Sequence, residues 1–443
     1  MRFSPYSDSF DIVENGFLSS VLDAYTPSEP YKSSLGKKGL FIDIDDTIVK
    51  GNTAFGFADF LAEKGAFKLE TYRKMKEVKE RYKKKEISQN EAVRMYTDLY
   101  REGTKDLTVE KESELASEFV RDRVTFFEDV ADTITEFKKE LYCPILVSAT
   151  PCTVAREIAK VVGAEDSIGT GREDEYITSE EKYRAITKKI DELKLDMKES
   201  VGIDDSLGGI GIFQHVMIPI VWNPRNGIRI VAIKNCLLDP GPTFKAVLAG
   251  LYRERFFMNY DVRYTLNIDE NRSEPIKIVE MWTKRDKPLQ SRRELIEFKK
   301  EKPRRFAALA FKMIDDVEKS GSRYLVDYLK NYEFYIPRHP YNFPVNIDEM
   351  KEWSSNPNFA PHVMPFEWKK RSTKLKNLNE LKTKFTRESQ ISILSKKHGI
   401  DPLTLLYKFP DDKVPSEKEV EALFKEMYGP DVEHELSYLP EIL

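Results

Sequence analysis

Short apolar runs and longer amphipathic patterns alternate along the first half of the chain. Four runs have the length and composition of buried strands: GLFI, CPILVSATP, SVGIDDS and PIVWNP. The longer patterns carry apolar residues at helical spacing: EDVADTITEFKKELY, CTVAREIAKVVGA and SEEKYRAITKKIDELK. We predict a loop between the last two of these helices. Strands that alternate with helices of this length predict an α/β fold, with a parallel sheet and crossover helices.

Two regions depart from this alternation. Residues 53–123 carry several helical patterns and no strand pattern, which predicts a helical insertion after the first strand. Beyond about residue 240, the strict alternation of MNYDVRYTLNID, followed by PIKIVEMW, predicts a β-hairpin near 256–283 and mainly helices after it. The predicted parts are an N-terminal arm (1–38), a core (39–52 and 124–240), the insertion (53–123) and an α+β C-terminal region (241–443).

Acidic side chains follow two of the predicted strands directly. Asp43, Asp45 and Asp46 come after the first strand, and Asp204 and Asp205 end the strand SVGIDDS. A buried carboxylate is costly unless a cation compensates it. The carboxyl ends of parallel strands meet at one edge of a sheet, so we expect these acids to lie together there. Hard oxygen ligands favour Mg²⁺, which also takes a phosphate oxygen.

A hydroxyl and a lysine are expected at the same edge. Ser148 lies near the end of the strand CPILVSATP, and Lys182 opens the following helix. Together these groups resemble the four motifs of the haloacid dehalogenase-like phosphohydrolase superfamily, in its branch related to phosphoserine phosphatase (subfamily IB). In this sequence the motifs are Asp43-Ile44-Asp45-Asp46-Thr47, Ser148 in VSATP, Lys182 in SEEKYRAITKKI and the pair Asp204-Asp205. Lys188 and Lys189 are alternatives for the lysine.

The resemblance implies a Rossmann-like core between about residues 38 and 240, and it implies that the helical insertion is a four-helix cap of the C1 type. It also implies a phosphatase, in which Asp43 is the nucleophile and Asp45 the general acid and base. Thr47, Ser148 and Lys182 would then bind the phosphate of the substrate.

The same resemblance implies a cofactor and a substrate class. Mg²⁺ would be bound by Asp43, the carbonyl of Asp45, and Asp205, with Asp204 nearby. The substrate would be a phosphorylated small molecule. Related phosphoserine phosphatases have a glutamate where this chain has Asn52, and a neutral amide does not complement an ammonium group. Phosphoserine is therefore expected to be a poor substrate.

The amino-acid composition indicates the class of protein. With 40% hydrophobic and 33% charged residues, the 443-residue chain has the composition of a globular protein with several domains rather than of a disordered one. No apolar segment approaches the roughly 20 residues that span a bilayer, so we expect no membrane contact and a cytoplasmic location. Three cysteines give no disulfide framework, and five scattered histidines give no transition-metal site.

Charge is distributed unevenly, which raises a second class of function. The run Lys284–Arg305 has ten basic residues against four acids, and Lys369–Arg387 has eight against one, whereas Asp411–Leu443 has ten acids against three lysines. These runs are typical of solvated helix faces, or of a surface for a polyanion or a protein partner. The alternative function is a binding or assembly subunit with this fold, whose C-terminal half contacts a partner or nucleic acid. Residues 386–409 also resemble a helix-turn-helix faintly.

Overall fold

The computed structural model describes most of the chain. It covers residues 36–84, 86–87, 89–171, 177–235, 243–267, 277–321, 387, 390–391, 393–409 and 414–429. These residues fall into two compact units, and each is described by itself. The first holds the described residues from 36 to 229 together with 243–248 and 428–429, and the second holds 230–235 and the described residues from 249 to 427.

A parallel sheet of five strands, in the order β3-β2-β1-β4-β5, forms the centre of the first unit. Its strands are β1 (Lys38–Ile42), β2 (Tyr142–Pro151), β3 (Asp166–Thr170), β4 (Asp196–Asp204) and β5 (Ile218–Val221). The central strand β1 pairs with both β2 and β4, and its residues Leu40, Phe41 and Ile42 are fully buried. A strand that is covered on both faces carries a continuous apolar run, which explains the sequence GLFI.

Four helices form the insertion that follows β1. They are α1 (Thr53–Glu63), α2 (Leu69–Lys83), α3 (Gln89–Gly103) and α4 (Val109–Arg123). An aromatic cluster joins them, in which Phe119 of α4 lies 5.3 Å from Phe57 and 5.7 Å from Phe60 of α1, between ring centroids. Aromatic pairs in this range of distances stabilise a core beyond the area that they bury. The insertion therefore has a hydrophobic core of its own.

Further helices lie between and after these strands along the chain. They are α5 (Val130–Lys139), α6 (Cys152–Val162), α7 (Ser179–Leu193), the short α8 (Ile210–Phe213) and α9 (Asn226–Asn235). The predicted α/β fold with a parallel sheet and crossover helices is confirmed. One element was predicted wrongly, because β3 lies where the sequence indicated a loop. β3 is a short edge strand in which Ile168 is the only large apolar residue, so it lacks the pattern on which strand prediction depends.

The remaining elements belong mainly to the second unit. They are α10 (Ala246–Asn259), β6 (Tyr260–Asn267), β7 (Lys277–Lys284), α11 (Arg292–Ser320), α12 (Pro402–Lys408) and α13 (Glu417–Tyr428). β6 and β7 pair in antiparallel register, with Val262 opposite Trp282. A capping box formed by Ser291 and Glu294 begins α11. Residues 393–398 are helical, and Gly399, at φ +75°, separates them from α12.

The first basic run differs from a simple solvated face. Lys299 is buried and lies 2.7 Å from the carboxylate of Glu254, and Arg285 and Arg305 both contact Asp261. Part of the positive charge of this run therefore compensates acids within the second unit.

Several predictions fall outside the described residues. They concern most of the N-terminal arm, the basic run 369–387 apart from Arg387, most of the acidic tail, and the boundary near residue 240. Partner binding and the domain boundaries stay predictions. Among the described helices, none combines the length and the hydropathy that a membrane span requires.

Candidate active site

The carboxyl ends of three adjacent strands bring the predicted acids and the serine together. Asp43 follows β1, Ser148 lies near the end of β2, and Asp204 ends β4. The backbone N–H of Asp43 donates to the carbonyl of Ile203 at 2.9 Å, which continues the β1–β4 pairing up to the site. All three side chains are buried. Their proximity follows from the strand order, because β1 lies between β2 and β4.

Lys182 reaches this edge from the first turn of α7. Its Nζ lies 2.6 Å from Oδ1 of Asp43 and 3.2 Å from Oδ2 of Asp204. Burial alone would lower the pKa of Lys182, but Asp204 and Asp43 raise it above its ordinary value, so the ammonium stays charged. The two alternative lysines lie elsewhere, since Lys189 pairs with Asp166 and Glu192, and Lys188 is exposed.

The buried acids outnumber the cations beside them. Carboxylate oxygens of Asp43, Asp204 and Asp205 lie within 4.8 Å of one another. Burial raises the pKa of Asp43 well above its ordinary value against the opposing effect of Lys182, and burial together with Asp204 raises the pKa of Asp205 to about 8. A bound cation reduces the repulsion between like charges that are buried close together. The donor set of hard oxygens therefore fits a divalent cation such as Mg²⁺.

Asp204 is held in one orientation. Its Oδ1 accepts hydrogen bonds from the backbone N–H and the hydroxyl of Ser206, at 2.9 and 3.1 Å. A methyl group placed on Gly209 would lie 2.3 Å from Cβ and Cγ of Asp204, closer than any side chain allows. Glycine is therefore required at position 209 by the close approach of the Asp204 carboxylate.

Asp45 ends a chain of three hydroxyl groups. Its Oδ1 accepts from the backbone N–H and the hydroxyl of Thr53, at 2.8 and 2.6 Å. The hydroxyl of Thr53 lies 2.6 Å from that of Thr150, which lies 3.1 Å from the hydroxyl of Ser148. Burial raises the pKa of Asp45 to about 6, although both bonds from Thr53 lower it. Such a group is both a proton donor and a proton acceptor near neutral pH.

Arg225, in the loop after β5, connects two of the acids. Its Nε lies 2.7 Å from Asp205, and its Nη2 lies 2.7 Å from Asp46. Asp46 has a positive φ of 55° and also accepts a hydrogen bond from the N–H of Gly51. The side chain of Asn223 donates to the carbonyl of Asp46 at 3.0 Å. The turn after the first motif is thereby fixed to the loop after β5.

Thr47 differs from the other predicted phosphate ligands. It lies in the turn after Asp45, fully buried, and its hydroxyl has no hydrogen-bond partner among the described residues. It is absent from the described lining of the cavity, which Asp43, Asp45, Ser148 and Lys182 share. Phosphate binding by Thr47 stays a prediction.

A cavity opens directly onto the acids. One side of it is lined by Asp43, Asp45, Ser148, Lys182 and Asp205. The opposite side is formed by α1, α2 and α3 of the helical insertion and by the residues that precede α7. A small molecule in this cavity would contact both the acids and the insertion.

Residues 40–208 match the family model for haloacid dehalogenase-like hydrolase. This segment is a haloacid dehalogenase-like hydrolase domain. No curated protein matches the chain. Among solved structures, the chain is similar to a protein with unknown function from Bordetella pertussis Tohama I, at 22% identity and a TM-score of 0.39, over 46% of this chain and 97% of that one. A phospho-aspartyl intermediate analogue of phosphoserine phosphatase gives 17% identity and a TM-score of 0.33, over 43% and 88%.

Five residues of the hydrolase domain's site were not predicted from the sequence: Thr53, Thr150, Ser206, Asn223 and Arg225. Thr53 and Thr150 stand close to the first and second motifs, and a hydroxyl beside each motif was a usable signal. Arg225 lies 20 residues beyond Asp205 in a loop without a motif, and the spatial order of the strands brings it to the acids. Asp46, the third acid that follows the first strand, is half-buried and paired with Arg225.

Proposed function

We propose that the hydrolase domain is a phosphatase that hydrolyses a phosphomonoester through an aspartyl-phosphate on Asp43. The arrangement of Asp43 and Lys182 carries this proposal. Asp43 is buried at the mouth of β1, its Oδ1 is 2.6 Å from the ammonium of Lys182, and both residues line the cavity with Asp45 and Ser148. A carboxylate held in this way is oriented for attack, while the ammonium stabilises the negative oxygens of a phosphoryl group.

In the first step, a carboxylate oxygen of Asp43 attacks phosphorus. The bond between phosphorus and the substrate's alcohol oxygen breaks, and a new P–O bond to Asp43 forms. Asp45 gives its proton to the departing alcohol oxygen, which is consistent with a pKa of about 6. Lys182 and Ser148 line the same space and stabilise the non-bridging oxygens.

In the second step, water attacks the phosphorus of the aspartyl-phosphate. Asp45, now ionised, takes the proton of that water, and the P–O bond to Asp43 breaks. Inorganic phosphate leaves, and both carboxyl groups return to their starting states. Thr53 holds Asp45 by two hydrogen bonds, so the same carboxyl group can serve both steps without changing position.

We further propose that the domain works with Mg²⁺. Asp43, the carbonyl of Asp45, and Asp205 would hold the ion, with Asp204 nearby. When bound, the ion would neutralise negative charge on the phosphoryl group. The support is an excess of negative charge, because the three buried carboxylates of Asp43, Asp204 and Asp205 share two cations, Lys182 and Arg225.

Trapping of the covalent intermediate tests the proposal. The intact chain is mixed with 4-nitrophenyl phosphate and Mg²⁺, quenched in acid and digested, and the peptide that contains Asp43 is analysed for a phosphoryl group by mass spectrometry. We expect phosphorylation of Asp43, and we expect a chelator to abolish turnover. In Asp43→Asn the nucleophile is lost, so neither the phosphopeptide nor turnover should appear.

Asp132→Asn is the matched control, because Asp132 is an exposed aspartate of α5. It should keep both the phosphopeptide and the rate. Undiminished Mg²⁺-dependent turnover by a folded Asp43→Asn protein would refute the proposal.

A further inference from the structure

The cavity wall that faces the acids is largely hydrocarbon. Ala54 and Phe55 of α1, Ala92, Val93 and Tyr96 of α3, and Ile177 before α7 line it. Ala54, Ala92, Tyr96 and Ile177 are buried, and Phe55 and Val93 are half-buried. A substrate that places its phosphate at Asp43 would therefore place its alcohol portion against these side chains.

Tyr96 presents its ring rather than its hydroxyl. The hydroxyl donates to the backbone carbonyl of Ala54 at 2.5 Å, and the ring packs edge-to-face with Phe55 at 5.0 Å between centroids. Burial raises the pKa of the Tyr96 hydroxyl well above its ordinary value, so it stays neutral. The two rings are thus fixed against each other as an apolar surface.

Polar groups of the lining are already engaged at several positions. The carbonyl oxygen of the Asn52 side chain accepts from the N–H of Phe55 at 2.9 Å and caps α1. Arg225 is held by Asp46 and Asp205, and the hydroxyl of Ser206 bonds Asp204. Apart from Asp43, Asp45 and Asp205, no acid is among the described lining residues, and their remaining polar side chains are those of Ser148, Lys182, Tyr82 and Thr178.

These observations limit the chemistry of a substrate. An ammonium group would find no carboxylate in the described part of the wall, and a substrate carboxylate would compete with Asp46 and Asp205 for Arg225. A polyol would lose water without gaining matching partners against Phe55, Val93 and Ile177, which is costly. A hydrocarbon group gains from burial in the same place.

We infer that the domain acts on phosphate esters of uncharged, largely hydrocarbon alcohols, such as an aromatic or branched aliphatic alcohol, rather than on phosphorylated amino acids or sugars. The inference rests on the proposed phosphatase function. Phe55, Val93 and Tyr96 are the residues that determine this specificity.

A substrate series with similar leaving groups tests the inference. Ethyl, butyl and benzyl phosphate are compared with glycerol phosphate, phosphoethanolamine and phosphoserine, all of them esters of primary alcohols. We expect kcat/KM to rise by about fourfold for each methylene that is buried. Benzyl phosphate should exceed each of the three polar esters by at least about tenfold. Equal or higher values for a polar ester would overturn the inference.

Binding of phosphonates provides a readout that does not depend on turnover. Calorimetry of the intact chain with Mg²⁺ compares 2-phenylethylphosphonate with 3-aminopropylphosphonate, which have a carbon in place of the ester oxygen. The phenyl compound should bind at least about tenfold more tightly, because its ring is buried by the wall. Equal affinity, or tighter binding of the amine, would overturn the inference.

Substitutions at position 93 locate the specificity. Val93→Leu keeps the apolar wall and should keep the preference, whereas Val93→Asp adds a carboxylate and should favour the aminopropyl compound. If the aspartate variant fails to fold, Val93→Asn replaces it in the test. Val93→Asn adds no charge, so it should weaken binding of the phenyl compound and leave binding of the aminopropyl compound unchanged. Val161→Asp is the matched control, because Val161 is an exposed valine of α6 that is absent from the described lining. It should change neither affinity.

The outcomes separate the two proposals. If Asp43-dependent hydrolysis of 4-nitrophenyl phosphate is present but the phosphonates bind equally, the substrate class is wrong and the phosphatase function stands. If no phosphate ester is hydrolysed and neither phosphonate binds, both proposals are wrong.

Discussion

Arg225 and Asp46 form an ion pair with 2.7 Å between Nη2 and Oδ2, across 179 residues of sequence. The pair joins the turn that follows Asp43 to the loop that follows β5. The same guanidinium contacts the buried Asp205. Arg225 thus forms one ion pair with the half-buried Asp46 and one with the buried Asp205. We expect the two ion pairs to contribute different amounts to the free energy of unfolding.

The first prediction separates these contacts. Asp46→Asn removes a half-exposed partner and should cost about 0–1 kcal/mol. Arg225→Gln leaves Asp205 buried without its cation and should cost about 1–3 kcal/mol. Hydrogen exchange of the β1 and β4 amides measures these free energies within the first unit. Equal costs for the two variants would show that the contact with Asp205 adds nothing to stability.

The second prediction concerns pH and metal. The folded-state pKa of Asp205 is about 8 and that of Asp43 is also raised, against about 4 in an unfolded chain. Between these pH values the folded state therefore binds more protons than the unfolded chain. The contribution of the two carboxyl groups to stability is fully present below about pH 4 and is lost as pH rises towards 8. With a chelator present to remove metal ions, the melting temperature of the protein should be several degrees lower at pH 8 than at pH 5.5.

Mg²⁺ should reverse this loss, since a cation compensates the ionised acids. The increase in melting temperature on adding Mg²⁺ should be larger at pH 8 than at pH 5.5. In Asp205→Asn both the pH dependence and the Mg²⁺ effect should shrink. A Mg²⁺ effect that is the same at both pH values would contradict the prediction.

The third prediction concerns the proton donor. Asp45→Asn keeps the nucleophile and removes the acid and base, so turnover of alkyl phosphates should fall by about 10² to 10⁴. With 4-nitrophenyl phosphate, whose leaving group needs no proton, Asp43 should still be phosphorylated, and the phosphoenzyme should accumulate because its hydrolysis stalls. A rapid burst of nitrophenol, equal to the enzyme concentration and followed by a slow phase, measures this. Loss of the burst would place Asp45 in the first step for every substrate.

The fourth prediction concerns a buried ion pair of the second unit. Glu254 lies 2.7 Å from Lys299 and 3.7 Å from Arg253, and all three residues are buried. Removing one partner of such a pair costs about 3–5 kcal/mol. Glu254→Gln should cost more than Lys299→Met, because Glu254→Gln removes the contacts with both Lys299 and Arg253, whereas Arg253 remains beside Glu254 in Lys299→Met. Hydrogen exchange of the α10 amides provides the measurement, and the reverse order would refute this account.

The fifth prediction concerns the partner surface that the sequence indicates. If the run 369–387 binds a polyanion, replacing Lys369, Lys370 and Arg371 with serines should weaken binding to polyphosphate or nucleic acid and reduce its dependence on salt. The exposed Lys188, Lys194 and Lys198 of the first unit, replaced together, provide the control. No binding by the intact chain at low salt would remove the hypothesis.

The sequence predicted the elements whose pattern is local. The apolar runs of β1, β2, β4 and β5 and the helical periods around them follow from burial, and the acids at the strand ends stand out because they interrupt those runs. β3 was missed because pairing with β2 holds it, rather than its own composition. Met258 looked like a strand residue by alternation, yet α10 continues to Asn259, since the same apolar residues also suit a buried helix.

The contacts of the site depend on tertiary structure to different degrees. The pairing of Arg225 with Asp46 could not be predicted, because no local pattern records which loop lies beside which turn. The choice of Lys182 over Lys188 and Lys189 is geometric as well. Nearly two turns of helix separate the buried ammonium of Lys182 from the exposed Lys188 and from Lys189, which pairs with Asp166 and Glu192. The hydroxyls of Thr53 and Thr150 meet only when α1 is placed beside the end of β2.

The hydroxyl chain from Ser148 to Asp45 would couple the binding of a phosphate at Ser148 to the protonation of Asp45. Each hydroxyl has one proton, so while Asp45 is ionised, Thr53 donates to it, Thr150 donates to Thr53, and Ser148 donates to Thr150. A proton on Oδ1 of Asp45 lets this order reverse, and the proton of Ser148 is then available to a phosphate oxygen. Phosphate binding at the serine and proton uptake by the acid therefore favour each other by the same factor, as reciprocal linkage requires. A phosphate ester that enters the cavity would help to protonate the group that its own alcohol needs as it departs.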